Sequence, residues 1–172
     1  MTDLRSAPAP GPREDDHVRG PADAPLVIAY ADFSCPRCAV AWERLREGEI
    51  RLVFRHFALR TKHPRAVPLA LAAEAAACQG RFWELHDRLY ADQGRQDDPH
   101  LWAHVQDLGL DLDRFEADRR SDAVAARVRA HVTEALRAGV TATPTLVVDG
   151  TLHPGAPERA WLRTLRRPTD YT

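Results

Sequence analysis

Leu26-Val27-Ile28-Ala29-Tyr30-Ala31-Asp32-Phe33-Ser34-Cys35-Pro36-Arg37-Cys38-Ala39-Val40-Ala41-Trp42 changes texture halfway through, and that change sets the architecture. Pro25 opens an apolar run, Leu26 to Tyr30, with β-branched and aromatic members, which reads as a buried strand ending in a Ser-Cys-Pro turn. From Cys35 onward, Ala39, Val40, Trp42 and Leu45 recur at helical spacing with Glu43, Arg44, Arg46 and Glu47 between them, and Gly48 is a natural stop. Ile50 to Ala58 alternates, with Ile50, Leu52, Phe54 and His56 set against Arg51, Val53, Arg55 and Phe57, so a second strand with both faces covered is expected. Strand, helix, strand at this spacing is a βαβ unit with parallel strands. Cys35 and Cys38 therefore lie at the carboxyl edge of an α/β sheet, where such sheets place their active sites.

Outward from this unit, residues 63–138 are helical in pattern throughout. Leu69, Leu71, Ala72, Ala75, Ala76 and Cys78 make an alanine-rich helix closed by Gly80; Phe82, Trp83, Leu85, Leu89 and Tyr90 make another. Leu101, Trp102, Val105 and Leu108 follow, then a short segment with Leu112 and Phe115. A longer helix from Ser121 turns Val124, Val128, Val132, Ala135 and Leu136 inward and stops at Gly139. The sheet resumes at Thr145 to Val148, turns at Asp149-Gly150, returns over Thr151 to His153, and a helix from Ala156 to Leu165 closes the chain. Met1 to Arg19, with Pro8, Pro10 and Pro12 and few apolar residues, reads as a flexible tail. The expected organisation is a tail over 1–19, one domain over 20–168 with a helical insertion at about 63–138, and a short tail over 169–172.

Two cysteines three apart in the first turn of a helix can close a disulfide with little backbone movement. The unpaired N–H groups of that turn and the helix dipole stabilise an anion there. Cys35 is thus expected to be an exposed nucleophile with a depressed pKa, and Cys38, one turn in, the resolving thiol. Pro36 suits the first helical position, and the Arg37 charge favours the thiolate. Asp32, if buried near Cys38, could accept its proton during resolution. The competing reading of a C-x-x-C is half of a zinc site, which His56 and His63 could approach, but the chain holds no second C-x-x-C and its third cysteine, Cys78, lies in the alanine-rich helix with no histidine close in sequence. Three cysteines in 172 residues also argue against a disulfide-stapled scaffold. The net charge of −1 gives no general pull toward nucleic acid or an anionic membrane, and no run is long and apolar enough to span one. A start without a basic, then apolar, segment leads to the expectation of a cytoplasmic protein.

Five segments together resemble the DsbA-like thiol oxidoreductases of the thioredoxin superfamily. Asp32-Phe33-Ser34-Cys35-Pro36-Arg37-Cys38 is similar to their D-F-x-C-P-x-C, and Gly20-Pro21-Ala22-Asp23-Ala24-Pro25 to the entry before their first strand. Phe54-Arg55-His56-Phe57 is similar to F-R-x-F, Gln79-Gly80-Arg81-Phe82-Trp83-Glu84-Leu85-His86-Asp87 to Q-G-K-F-W-x-x-H-D, and Val140-Thr141-Ala142-Thr143-Pro144-Thr145 to V-x-x-T-P-T. The resemblance covers about residues 16–165. It implies a thioredoxin fold, β-α-β then β-β-α, with the helical insertion between the halves. It also implies a cis bond before Pro144, a proline loop packed beside the dithiol, and a Thr143 backbone that pairs with an extended substrate. Relatives of this kind also occur as domains appended to sodium/proton antiporters. Ser34 stands where many relatives carry Glu, and Arg37 where periplasmic oxidases often carry His or Tyr.

The expected chemistry is thiol–disulfide exchange with protein or small-molecule substrates and a recycling thiol or reductase, with no metal, flavin or nucleotide cofactor. Two other classes compete: a redox-inactive binding module that keeps the groove beside Pro144, and a metal-binding C-x-x-C protein. Of the other candidates, Cys78 reads as a small buried hydrophobe rather than a third redox thiol, and His56 as a packing residue. His100 and His104, four apart on a helix, read as a solvated face rather than a metal site.

Overall fold

The computed structural model describes residues 7–165. A five-stranded sheet runs in the order β1-β3-β2-β4-β5, formed by His17–Arg19, Arg51–His56, Leu26–Ala31, Thr145–Val148 and Thr151–Pro154. β2 pairs parallel with β3 and antiparallel with β4, so the first strand by sequence pattern is the middle of the sheet. Between β2 and β3 lies α1, Pro36–Leu45; between β3 and β4 lie α2 (Ala66–Ala77), α3 (Phe82–Ala91), α4 (Asp98–Asp107), α5 (Leu112–Asp118) and α6 (Asp122–Arg137). This is the α/β thioredoxin-like arrangement with an all-helical insertion.

Alternation along the central strands settles which residues meet which layer. Val27, Ala29, Ala31, Leu52, Phe54 and Leu146 share a core with α1, α2 and α3. Ile28, Tyr30, Val53 and Val147 face the other way, onto Phe57, Ala135 and Val140. Both faces of β2 and β3 are thus covered, as their near-continuous apolar character requires. Each large apolar side chain buried here contributes about 1.5–3 kcal/mol. α2 packs against α3, α5 and α6 at once, and its alanines are what allow three helices to approach it. The β4–β5 turn has both Asp149 and Gly150 at positive φ, the pairing that suits a two-residue hairpin.

Four expectations need correction. The tail does not extend to residue 19: His17–Arg19 is an edge strand antiparallel to β3, and Arg55, whose side chain is fully buried, bonds the Asp16 carboxylate and the carbonyls of Pro10 and Gly11. The segment lacks apolar residues because a buried guanidinium holds it. The closing helix is one turn, α7 at Arg159–Leu162, after a Pro157-containing lead-in. Leu136 is 53% exposed, and His131 and Ala135 take the inward face of α6. Cys78 is exposed, because it caps the C-terminus of α2 beyond the apolar face. Residues 1–6 and 166–172, including the expected C-terminal tail, lie outside the described residues.

Candidate active site

Cys35 is the N-cap of α1, in extended conformation, and Pro36 follows in the first helical turn. Its backbone donates to Asp32 O at 3.1 Å, while Cys38 N donates back to Cys35 O at 3.0 Å. The two sulfurs are free thiols joined by a hydrogen bond. Cys38 is 1% exposed and its sulfur accepts the Asp32 N–H at 3.5 Å. Cys35 is only 5% exposed, less than its expected role as an exposed thiol suggests, since the Thr143-Pro144 loop covers it. Its thiol reaches Thr143 O at 3.6 Å, and the Thr143–Pro144 peptide is cis. Cys35 opens onto a cavity of about 220 Å³ that Thr143, Asp32 and Arg37 also line.

The environment separates the two thiols. Hydrogen bonding from the Cys38 thiol pulls Cys35 down to about 5, against the cost of burial, with help from Thr143 and the backbone N–H groups of Cys38 and Arg37. Burial pushes Cys38 the other way, far above an ordinary thiol, and its bond to Cys35 adds to this. At neutral pH one sulfur is therefore an anion and its neighbour keeps its proton. Arg37 contributes through its backbone, and its guanidinium extends to the place where a side chain on Gly155 would begin, 3.0 Å away.

Asp32 is buried, with its backbone rather than its carboxylate on Cys38. One carboxylate oxygen accepts the Ser34 N–H at 2.8 Å and the other meets His63 Nδ1 at 2.6 Å. Burial raises the Asp32 pKa, the bonds from Ser34 and His63 oppose that, and the nearby Cys35 charge adds to the rise. His63, which precedes α2, carries no motif spacing that marks it in the sequence. Gln93 and Gln96 were equally unmarked: Gln93 Nε2 donates to the carbonyls of Phe33 and Cys35 at 2.8 and 3.1 Å, and Gln96 Nε2 donates to Phe33 O at 2.9 Å. Amides from the α3–α4 loop thus fix the strand-to-helix turn from the side. Behind it, Phe33 packs on Phe54, Tyr90 and His86. Arg19 lies over Trp83 and bonds Asp87, so the Phe82-Trp83…His86-Asp87 stretch braces the site from behind. Burial lowers His86 to about 4 and keeps it neutral.

Three buried ligand-type residues, His56, Glu74 and His131, lie together outside this cavity, with their donor atoms within 4.8 Å of one another. One Glu74 oxygen is 2.7 Å from His56 Nε2 and 2.9 Å from His17 Nε2, and the other is 2.9 Å from Arg127 Nε. A guanidinium paired with the carboxylate opposes a bound cation, and the two His–Glu74 distances are those of hydrogen bonds. The cluster joins β1 and β3 to α2 and α6. His100 meets Asp97 at 2.7 Å at the exposed start of α4.

Comparison with known proteins agrees with this geometry. The model of a family described as thioredoxin matches residues 13–165. A Na(+)/H(+) antiporter NhaA 1 of Salinispora arenicola is 45% identical over 150 residues, which is 82% of this chain but 22% of the antiporter. The chain thus spans about a fifth of the length of that relative. A thioredoxin-like oxidoreductase from Silicibacter pomeroyi superposes with a TM-score of 0.79 at 25% identity, covering 88% of this chain and 90% of its own. The thiol-disulfide exchange protein alpha-DsbA2 from Wolbachia pipientis gives 0.76 at 20% identity, covering 87% and 84%. A periplasmic thioredoxin-like protein from Salmonella enterica serovar Typhimurium gives 0.71 at 19% identity, covering 87% of each chain. That match overturns the expectation of a cytoplasmic location. The same fold is found in a periplasmic protein. Among the described residues no helix is long and apolar enough to cross a membrane.

Proposed function

The chain belongs to the thioredoxin family, with the fold of its DsbA-like members, and from that premise we propose that it exchanges thiols and disulfides through Cys35 and Cys38. The observation that carries this reading is the placing of the two thiols: Cys35 at the N-cap of α1 beside the Thr143 carbonyl, and Cys38 buried one turn in and hydrogen-bonded to it. In the reducing direction the Cys35 thiolate attacks one sulfur of a substrate disulfide. That bond breaks, a mixed disulfide forms, and one substrate thiolate leaves. Cys38 then passes its proton to the departed substrate thiolate or to water and attacks Cys35 Sγ, which closes the Cys35–Cys38 disulfide and releases the second thiolate, protonated from solvent. The substrate is reduced to two thiols while the protein dithiol is oxidised, and a recycling thiol or reductase restores it. Run backwards, the same steps oxidise a substrate dithiol.

Asp32 and His63 support the site as positioning residues, through Ser34 and the turn that carries Cys35. Thr143 and Pro144 form the wall against which a substrate would lie, with the Thr143 carbonyl beside the reactive sulfur. Stabilising a thiolate stabilises the reduced protein and makes its disulfide more oxidising. C-x-x-C thiols run from about 7 in thioredoxin, the more reducing, to about 3.5 in DsbA, the more oxidising. The test is reduction of a disulfide substrate by the purified protein and by Cys35→Ser. Turnover by the first and none by the second is expected; equal rates would refute the reading.

A further inference from the structure

We infer that the cavity at Cys35 selects cysteine-bearing peptide segments with acidic residues next to the cysteine. The inference rests on the exchange reading above and adds to it a substrate class. The disulfide that Cys35 attacks approaches through the 220 Å³ cavity onto which Cys35 opens, with the Thr143 carbonyl 3.6 Å from the sulfur on its wall. The lining of that cavity is unequal in charge. Arg37 and Lys62 stand on it, and the groups of opposite sign are Asp32 and the Cys35 thiolate, whose charge is spent once the mixed disulfide forms. Asp32 is 3% exposed and both its oxygens are engaged, one by the Ser34 N–H and one by His63, so it presents little negative charge to a visitor. Arg37 and Lys62, by contrast, are exposed. Phe57 and Leu59 supply an apolar wall. A peptide cysteine reaching Cys35 therefore sets its own side chain against apolar surface and carries its flanking residues past two cations. Carboxylates at those flanks gain attraction on approach and in the mixed disulfide, whereas lysines there are repelled. The positive rim needs no cofactor and leaves the exchange chemistry unchanged.

The experiment uses three peptides of one length, each carrying the same mixed disulfide, with Asp, Asn or Lys on both sides of the cysteine. Acidic flanks raise the pKa of the leaving thiol and slow exchange with any attacker, so each rate is divided by the rate of the same peptide with a small neutral thiol. Two cations, taken at about 7 Å from the flanking charge in a watery rim, give roughly a fivefold preference for Asp over Asn in normalised kcat/KM at low salt, and a similar penalty for Lys. The spread should collapse at about 1 M salt, where the screening length is about 3 Å. Lys62→Gln should cut the Asp preference by about half, and Lys62→Glu should abolish or reverse it, since the exposed Lys62 contributes the second of the two charges. Equal normalised rates for the three peptides, or a preference that Lys62→Glu leaves intact, overturn the inference while turnover itself keeps the exchange reading. No turnover of any of the three overturns the exchange reading and this inference with it.

Discussion

Replacing Cys38 with alanine removes the S–H that donates to the Cys35 thiolate, the largest influence on that sulfur. A hydrogen bond to a charged group contributes about 1.5–3 kcal/mol. At 1.36 kcal/mol per pKa unit, its loss moves Cys35 up by about one to two units, from about 5 to between about 6 and 7. At pH 6 the ionised fraction then falls from about nine-tenths to about a quarter for a shift of about 1.5 units. The assay is the pH midpoint of Cys35 ionisation, followed by thiolate absorbance or by the midpoint of its alkylation profile. The rate at a single pH is a poorer readout, because a thiolate of higher pKa is also more nucleophilic. Cys38→Ser keeps an O–H at the same place and should lie closer to the wild-type midpoint. The rest of the environment is shared by both variants: the Thr143 side chain and the N–H groups of Arg37 and residue 38 remain. A Cys38→Ala midpoint still near 5 would refute the reasoning and assign the depression to the helix terminus alone.

Asp32→Asn tests the buried acid. Burial raises Asp32, so the folded protein holds that proton more tightly than the unfolded chain; the stability this gives is full below about pH 3.9 and is lost as pH rises through the folded value. Asparagine should flatten that fall and raise the thermal midpoint at pH 7, and an unchanged pH slope would contradict the account. Glu74→Ala leaves His17, His56 and Arg127 without their shared carboxylate and should cost about 3–5 kcal/mol in urea unfolding at pH 7. His17 and His56 hold Glu74 well below the usual carboxylate range despite its burial, so the stability it gives is present above about pH 4.3 and fades in acid. Asp16→Ala strips the partner from the buried Arg55 and should destabilise by a similar amount; a loss under about 1 kcal/mol would show that the segment before β1 is not part of the fold.

The parts of this molecule that show in the sequence are those set by local pattern. The central strand, the helix after Cys35, the glycine that ends α6 and the Asp149-Gly150 hairpin each follow from residues close to one another. Gly139 adopts positive φ and its N–H bonds Leu136 O, so a stop signal in the sequence is a helix cap in the structure. What does not show depends on partners far along the chain. β1 has three residues and no apolar periodicity of its own, and it pairs because β3 offers an edge and Arg55 needs an anion. The site divides in the same way. Cys35, Cys38 and Asp32 stand in one motif, and Thr143 and Pro144 in a second. His63, Gln93 and Gln96 reach their partners in the motif from 31 or more positions away and have no local signature. Cys78 was misread because an apolar helix face was extended one residue past its last turn.

The most direct measurement is ionisation of Cys35 in the reduced wild-type protein, with mass mapping of the protein equilibrated in glutathione buffers. The account predicts a midpoint near 5 and a single Cys35–Cys38 disulfide that forms and opens as the buffer changes. A midpoint near the ordinary thiol value of about 8.5, or failure of the two cysteines to join, would contradict it.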